Sequence, residues 1–384
     1  MGPVIEPHGR AAWRTLPAAA PGGCGPRGVI PAIVLILCAL LLPPAPFAQG
    51  APPEGVPADM HGWAVASVDF VFREDFKNAE EEAKKILRAY PDHPAGYFFM
   101  AAVADGWMLR YQSNRREAEF YRYCDQAVEK AEKILAKDPK DDWARFFMGG
   151  SDGYKGTYEA RYERYITAFR FGWKGVSVFL KMASEGSQNP DIQFGIGTYD
   201  YWRSALMKLL WWMPGVDDKR SVGIEKLKGV MKNGIYSRTA AGMVLTDVYL
   251  NENRHEEALA VASEMSKKYP RAIVFQWGRG AALYGLKRHE EAITAYQAIF
   301  ARCEKEQNSN FYNLVQSRMG MARNMAALGR NAEALEQLTA INDYALSKDI
   351  RKRLESTLSE ANSLRKRVDR GGSGGSAQDG VVAN

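Results

Sequence analysis

A repeat with a 34-residue period is the feature of this sequence that most restricts its possible folds. The segments NRHEEALAVASEM and KRHEEAITAYQAI are near copies, and they place Ala258 and Ala292 at a spacing of 34 residues. A third copy, GRNAEALEQLTAI, places Ala334 in the same role 42 residues later, after an eight-residue insertion. We expect this insertion to lengthen the preceding helix through 300–310. A period of this size is typical of stacked units that share one continuous core.

The repeated units are predicted to be helical. Helical patterns run through most of the chain, whereas alternating apolar residues with hairpin turns are nearly absent. Small residues recur at matching positions, among them Ala79, Ala258, Ala292 and Ala334. Such residues permit two antiparallel helices to approach closely, because bulkier side chains would push the helices apart. The sequence therefore predicts an all-α fold of stacked helix pairs.

In this pattern the chain resembles the tetratricopeptide repeat (TPR) superfamily. The resemblance is sharp over 61–91, where Trp63 and Phe70 stand at the aromatic positions of the first helix, and over 238–341. Between 94 and 236 the pattern is degenerate, with long insertions. The resemblance implies an α-α superhelix, or solenoid, of about seven TPR-like helix pairs with a C-terminal capping helix.

The first 48 residues have the composition of a secretory signal peptide. Three arginines precede an apolar run, Val29–Leu42, and small residues then lead to a plausible cleavage point at Ala48-Gln49. The run has about fourteen residues, fewer than the roughly 20 that a membrane-spanning helix needs. We therefore expect an exported protein of the periplasm or outer envelope. An uncleaved membrane anchor is the alternative.

Composition divides the chain into successive segments. We expect a signal peptide at 1–48, a linker rich in Pro, Gly and Ala at 49–60, an N-terminal TPR-like region with long, degenerate, aromatic-rich repeats at 61–236, regular TPR repeats at 237–346, a basic capping helix at 347–370 and a disordered tail at 371–384.

Motifs for catalysis or metal binding are absent from the sequence. It contains no G-x-S-x-G, P-loop, H-E-x-x-H or C-x-x-C motif. His255 and His289 stand 34 residues apart, each before Glu-Glu-Ala, which indicates copied repeat positions rather than a metal pair. Beyond the leader, Cys124 and Cys303 are expected to be unpaired, partly buried thiols. We therefore expect no enzyme activity, no cofactor and no metal.

The resemblance also implies which residues face a ligand. In TPR arrays the first helix of each pair lines a concave groove, which can hold an extended peptide, a helix or a hydrophobic ligand. Packing of a tight superhelix is the alternative role for the same side chains. The residues expected to bind a ligand or partner are Phe98, Met148, Phe194, Tyr201, Trp202, Asp247, Trp277, Tyr284 and Arg323.

Two aromatic features stand in the central region. Tyr154, Tyr158, Tyr162 and Tyr165 recur at intervals of four, four and three, which predicts one shared helix face that packs between helices. The segment Gly195–Gly215 ends in an apolar, Trp-rich run. This run predicts either an interfacial or partner-binding patch, or core beneath a long insertion.

These observations favour binding over catalysis. The preferred interpretation is an exported scaffold or adaptor for a protein or peptide partner in the bacterial cell envelope. The alternative is a carrier or binding protein for a hydrophobic small molecule or lipid, and a membrane surface is a further candidate partner. A formal net charge of +6 is too small to indicate nucleic-acid binding, and no nucleic-acid partner is expected.

Overall fold

The computed structural model describes residues 51–207, 217–306 and 310–373, and this part of the chain contains α-helices and no strand. The predicted signal peptide and residues 374–384 of the predicted tail lie outside the described residues, as does the Trp-rich end of the Gly195–Gly215 segment. The helices are, in chain order, α1 Ala58–Phe72, α2 Phe76–Ala89, α3 Pro94–Tyr111, α4 Glu117–Leu135, α5 Asp142–Arg161, α6 Tyr165–Ser184, α7 Ile192–Met207, α8 Arg220–Asn233, α9 Arg238–Asn251, α10 His255–Lys268, α11 Ile273–Gly285, α12 His289–Cys303, α13 Tyr312–Ala327, α14 Asn331–Ala340, α15 Lys348–Arg353 and α16 Glu355–Ser373.

The helices from α1 to α14 form seven pairs, and each helix packs against the next one along the chain. Ala79, Ala258, Ala292 and Ala334 have no exposed surface, as expected for small residues between closely packed helices. The predicted all-α solenoid of about seven helix pairs is therefore confirmed in the described part of the chain. None of the helices described is both long and apolar enough to cross a membrane.

The turn inside each described hairpin uses one left-handed residue. Positive φ angles occur at Asn253, Lys287 and Gly329, which are separated by 34 and 42 residues, so the turns keep the period and its eight-residue insertion. Glu74 and Glu163 hold the same place in the first and third pairs, whereas Gln112 of the second pair directly follows the last residue of α3 in a longer turn. Positive φ is uncommon for residues other than glycine, and its recurrence shows that the degenerate N-terminal pairs share the geometry of the regular ones.

The C-terminal cap consists of two helices rather than the single helix expected from the sequence. The helix is interrupted at Leu354, between the short α15 and the longer α16. Ala361, Leu364 and Val368 of α16 are buried in the core cluster of the last pairs, while the charged residues between them are exposed. This arrangement covers the apolar end of the last pair, as a solenoid requires.

The superhelix closes on itself, because its first two pairs contact its last ones. Phe72 at the end of α1 lies 5.7 Å from the ring of Tyr269 and 6.1 Å from that of Phe275. Asn313 Nδ2 of α13 donates a 3.0 Å hydrogen bond to the backbone oxygen of Arg110. These residues are about 200 positions apart in the chain, so the contacts join the two ends of the solenoid into a ring.

Two detailed predictions are wrong. The four tyrosines do not share one helix face, because α5 ends at Arg161 and Tyr165 begins the next helix. The insertion does not lengthen the helix before it. That helix, α12, has 15 residues against 14 in α10, and the chain leaves it at Cys303. Described residues of the insertion instead contact the end of α3, where Asn310 Nδ2 donates to the backbone oxygens of Tyr111 at 3.1 Å and of Gln112, the next residue, at 2.8 Å.

Candidate functional site

A cavity of about 370 Å³ lies on the inner side of the ring. Its walls come from α9, α11 and α13, the first helices of the last three pairs, with single contributions from α12 and from α3 across the ring. The lining residues are Leu109, Asp247, Leu250, Val274, Trp277, Gly278, Ala281, Tyr284, Tyr296, Gln316, Gly320, Arg323 and Asn324.

The structure brings four of the nine predicted binding residues together in this cavity. Asp247 comes from α9, Trp277 and Tyr284 from α11, and Arg323 from α13. The Trp277 and Tyr284 side chains are both half-buried. Successive first helices therefore contribute to one surface, as the TPR resemblance implies.

The other five predicted residues do not line the cavity. Phe98 is buried and stacks 5.1 Å from the ring of Tyr154, and Met148 is half-buried on α5. Phe194 is half-buried against the core cluster that contains Tyr201. Trp202 is exposed, and it is not among the residues that line the cavity.

Tyr201 has a packing role rather than a binding one. Its side chain has no exposed surface. Its hydroxyl donates to Glu252 Oε1 at 2.9 Å and accepts from Asn251 Nδ2 at 2.6 Å. A buried hydroxyl of this kind needs hydrogen-bond partners, and here they come from the end of α9. Tyr201 therefore joins α7 to the next pair, and no partner molecule can reach it.

Tyr296 belongs to the cavity although it is not among the residues that the sequence predicts there. Its ring lies against two glycines, since a Cβ atom would lie 2.9 Å from the ring at Gly280 and 2.7 Å from it at Gly320. Its centroid is 5.7 Å from that of Trp277. Burial raises the pKa of Tyr296 to about 12, so the phenol stays neutral and serves as an aromatic wall. The signal in the sequence that could have identified Tyr296 is the pair of glycines on the neighbouring first helices, Gly280 and Gly320, which leave room for a large ring.

Asp247 is the acidic group of the cavity. In the described part of the chain its carboxylate makes no hydrogen bond and no ion pair. The side chain is exposed at the cavity wall, while the protein on the inner curve of the ring surrounds it and displaces part of the water around it. This loss of water raises the pKa of Asp247 to about 6. The carboxylate therefore has unused capacity to bind a cation.

Arg323, by contrast, already has a partner. Its Nε donates a hydrogen bond to Oε1 of Glu360 on α16, and its Nη2 donates one to Oε2 of the same residue, both at 2.6 Å. Beside it, Asn324 Nδ2 donates to the backbone oxygen of Gly320 at 2.8 Å, and Asn324 Oδ1 lies 2.9 Å from His289 Nδ1. Because the Arg323 charge is neutralised by Glu360, Asp247 is left to set the charge of the cavity.

Groups of three or more His, Cys, Asp or Glu side chains that could hold a metal ion are absent from the described residues. His255 and His289 lie in separate repeats, each at the first residue of a second helix. Cys124 and Cys303 are free and buried, as predicted for unpaired thiols. Burial raises the pKa of the Cys303 thiol to about 11, which makes it a poor nucleophile.

Sequence comparison identifies no relative, since the chain matches no family model and no curated protein. The solved structures to which the chain is similar include the following two. A tetratricopeptide repeat protein from Parabacteroides merdae ATCC 43184 is 13% identical with a TM-score of 0.34, and the match covers 81% of this chain and 99% of that one. The TPR2AB domain of yeast Sti1, in its pHSP90 complex, is 15% identical with a TM-score of 0.28, covering 81% and 98%.

The fold rests on the geometry of this chain itself. Seven consecutive helix pairs, a 34-residue spacing of the alanines between the helices, and the same spacing of the left-handed turns occur together. These are the features of a solenoid in which each unit buries its apolar face against its neighbours. The chain therefore has an all-α, tetratricopeptide-like solenoid fold.

Proposed function

We propose that this protein is an exported scaffold or adaptor that binds a protein or peptide partner in the bacterial cell envelope. The cavity would take a segment of that partner with a basic side chain next to an apolar one. The observation that carries the proposal is the unpaired Asp247 carboxylate beside the aromatic walls of Trp277 and Tyr284.

The chemistry of the cavity supports a ligand of mixed character. A partly desolvated carboxylate gains most from a cationic partner, because the low local dielectric strengthens their attraction. Aromatic faces add cation–π attraction for the same ammonium or guanidinium group. Lysine and arginine also carry long apolar stems, which can pack on Leu250 and Val274 at the cavity wall.

Export is part of the proposal, and the leader-like composition of residues 1–48 supports it. A solenoid with an inward-facing cavity suits assembly work, since it offers a long surface to a partner without a group of catalytic side chains.

The proposal is tested with a synthetic array of nine-residue peptides that vary the two central positions. Binding is measured by fluorescence anisotropy for the wild-type chain and for Asp247→Asn, Trp277→Ala and Trp202→Ala. We expect selection of Lys or Arg beside a large apolar residue. We expect binding to weaken at least ~10-fold in Asp247→Asn and Trp277→Ala, and to be unchanged in Trp202→Ala, the matched tryptophan outside the cavity.

Two outcomes would contradict the proposal. One is equal binding of basic and acidic peptides, or equal binding by the wild type and Asp247→Asn. The other is retention of a fatty acid or phospholipid, detected by mass spectrometry of the purified protein and lost in Trp277→Ala. That second result would favour the carrier for a hydrophobic molecule instead.

A further inference from the structure

The outer face of α6 exposes apolar side chains that a folded chain normally covers. Ile166 is 89% exposed, Phe169 60%, Trp173 50% and Leu180 40%. Val176, Phe179 and Met182 hold the core side of the helix, and this side adjoins the exposed residues, since Val176 lies only about 20° around the helix from Phe169. The exposed residues therefore extend the apolar surface of α6 beyond the part that the core covers. Contiguous apolar surface of this kind marks an interaction site.

Basic residues flank this apolar face on one side. With about 100° between successive residues of an α-helix, the four exposed apolar residues span a sector of roughly 60°. Arg170, Lys174 and Lys181 follow in the adjoining sector, roughly 40–80° beyond Ile166. All three basic residues are exposed, and α6 contains no acidic residue at all. The helix thus presents an apolar stripe and a cationic stripe side by side.

The apolar stripe continues onto α7. The rings of Trp173 and Tyr199 lie 5.9 Å apart. Tyr199, Trp202 and Leu206 follow one another at intervals of three and four residues, so they share a face of α7. Trp202 and Leu206 are both exposed. The α6–α7 face, defined by these residues together with the exposed residues of α6, is therefore a surface built from two helices.

We propose that the α6–α7 face docks the protein onto the surface of a membrane that contains anionic phospholipids. A helix that lies in the interface plane buries aromatic and aliphatic side chains at the headgroup boundary, while Lys and Arg beside them contact lipid phosphates. Tryptophan is favoured at this depth, because its ring is apolar and its N–H is polar. The exposed aromatic residues and the one-sided positive charge of α6 match both requirements.

Charge argues against a second copy of the chain as the partner. In a two-fold contact the same surface meets itself, so α6 would bring Arg170 and Lys181 towards identical cations without any acidic residue of its own. Within the monomer, Lys174 pairs with the buried Asp152 at 3.0 Å, and Lys181 lies 4.0 Å from Glu185. The charge of Lys174 is therefore partly neutralised within the monomer, and Arg170 and Lys181 are the residues to test.

This docking is separate from the peptide-binding proposal. Helix α6 is the second helix of its pair and faces outwards, whereas the cavity is walled mainly by first helices. A substitution on α6 therefore leaves the cavity intact, and the two proposals can fail independently.

Vesicle flotation tests the inference. The chain from Gln49, which holds every described helix and is the mature form that the leader predicts, is mixed with vesicles of phosphatidylcholine alone or of phosphatidylcholine and phosphatidylglycerol in equal parts. The full chain is run in parallel. We expect the mixed vesicles to bind at least ~10-fold more protein, with binding that weakens as salt is raised.

The variants separate the two stripes. Phe169→Ser with Trp173→Ser should reduce the partition coefficient at least ~10-fold. Arg170→Gln with Lys181→Gln should reduce it roughly fivefold per charge, on the mixed vesicles only. The matched controls are Val222→Ser with Leu328→Ser, which are exposed apolar residues elsewhere, and Arg365→Gln with Lys366→Gln on α16. These controls should bind like the wild type, and circular dichroism confirms that each variant is folded.

Three outcomes would overturn the inference. The first is that neither vesicle binds the protein. The second is that the α6 variants bind as well as the wild type. The third is that light scattering shows a dimer which Phe169→Ser with Trp173→Ser converts to a monomer, because this face would then join two copies of the chain.

Discussion

Arg110 at the end of α3 and Glu74 in the turn between α1 and α2 form an ion pair at the point where the ring closes. The Arg110 Nε to Glu74 Oε2 distance is 2.7 Å, and the two side chains are only 4% and 6% exposed. Arg302 of α12 donates to the same carboxylate at 2.8 Å, and Glu306 from the insertion pairs with Arg110. Glu74 Oε1 also accepts the backbone N–H of Ile273 at 2.7 Å. The buried Glu74 carboxylate thus links the turn between α1 and α2 to α3, α11 and α12.

Glu74→Gln should destabilise the protein strongly. The substitution removes one of the two counter-charges of the buried Arg110, and Glu306 alone is left to pair with it. Removal of one partner of a buried ion pair costs about 3–5 kcal/mol. Urea unfolding monitored by circular dichroism gives the free energy of unfolding.

The matched control for this variant is Glu81→Gln. Glu81 pairs with Lys84 at an exposed site of α2, so its loss should change the free energy of unfolding by less than ~1 kcal/mol. Equal effects of the two substitutions would show that the Glu74 cluster does not hold the ring together.

Gly320→Ala should also be destabilising, because the new Cβ would lie 2.7 Å from the ring of Tyr296. The ring would have to move out of the cavity wall, at a cost of about 1–3 kcal/mol. Gly229→Ala on α8 is the comparison, since nothing lies within 4 Å of its Cβ position. That variant should gain roughly 0.5–1 kcal/mol from higher helix propensity. Thermal unfolding of both variants and of the wild type measures these changes in stability. A Gly320→Ala variant more stable than the wild type would exclude the tight contact between Gly320 and Tyr296.

The raised pKa of Asp247 predicts how its removal depends on pH. In the folded chain its pKa is about 6, against about 3.9 in an unfolded chain. Ionisation therefore opposes folding, and the cost grows as the pH rises from about 4 to about 6 and is constant above that. Asp247→Asn should raise the free energy of unfolding by about 1 kcal/mol at neutral pH, after allowance for solvent screening.

Urea unfolding at a series of pH values measures this difference between Asp247→Asn and the wild type. The difference should vanish below about pH 4, where the carboxyl is neutral in both states. A difference that stays constant with pH would show that the pKa of Asp247 is not raised.

The two thiols should be unreactive until the chain unfolds. Cys124 and Cys303 are buried, and burial raises the pKa of both thiols, so little thiolate is present near neutral pH. We expect no fast reaction of these cysteines with a disulfide reagent in the native chain from Gln49, and reaction of both in denaturant. Rapid labelling of Cys303 in native buffer would contradict the burial of the Arg110 cluster that surrounds it.

The sequence predicted the features that depend on the repeat itself. The period located the small residues Ala258, Ala292 and Ala334 at helix–helix contacts, and the family pattern brought Asp247, Trp277 and Tyr284 to one concave surface. These features are local, because each unit packs only against its neighbours.

Ring closure was not predictable in the same way. It results from small rotations added over seven pairs, which no local pattern encodes. Leu109 enters the cavity from α3 only because the ring closes, and Glu306 meets Arg110 across 196 residues. The exposed stripe of α6 was missed for a related reason. An apolar face has the same sequence pattern whether it is buried or exposed. Because the repeats in this region are degenerate, they could not be aligned with the regular repeats to tell buried positions from exposed ones.

The most direct test of the central claim, that the cavity holds a partner's peptide segment, is photocrosslinking from inside the cavity in the native envelope. Gln316, a half-buried cavity residue, is replaced by p-benzoylphenylalanine. Replacement of Trp202 by the same photocrosslinking amino acid serves as the control. Mass spectrometry identifies the crosslinked molecule. The account predicts that the Gln316 position captures one protein, through a segment with Lys or Arg beside an apolar residue, and that Asp247→Asn abolishes this capture. Crosslinks from Gln316 to lipid, or the same products from both positions, would contradict it.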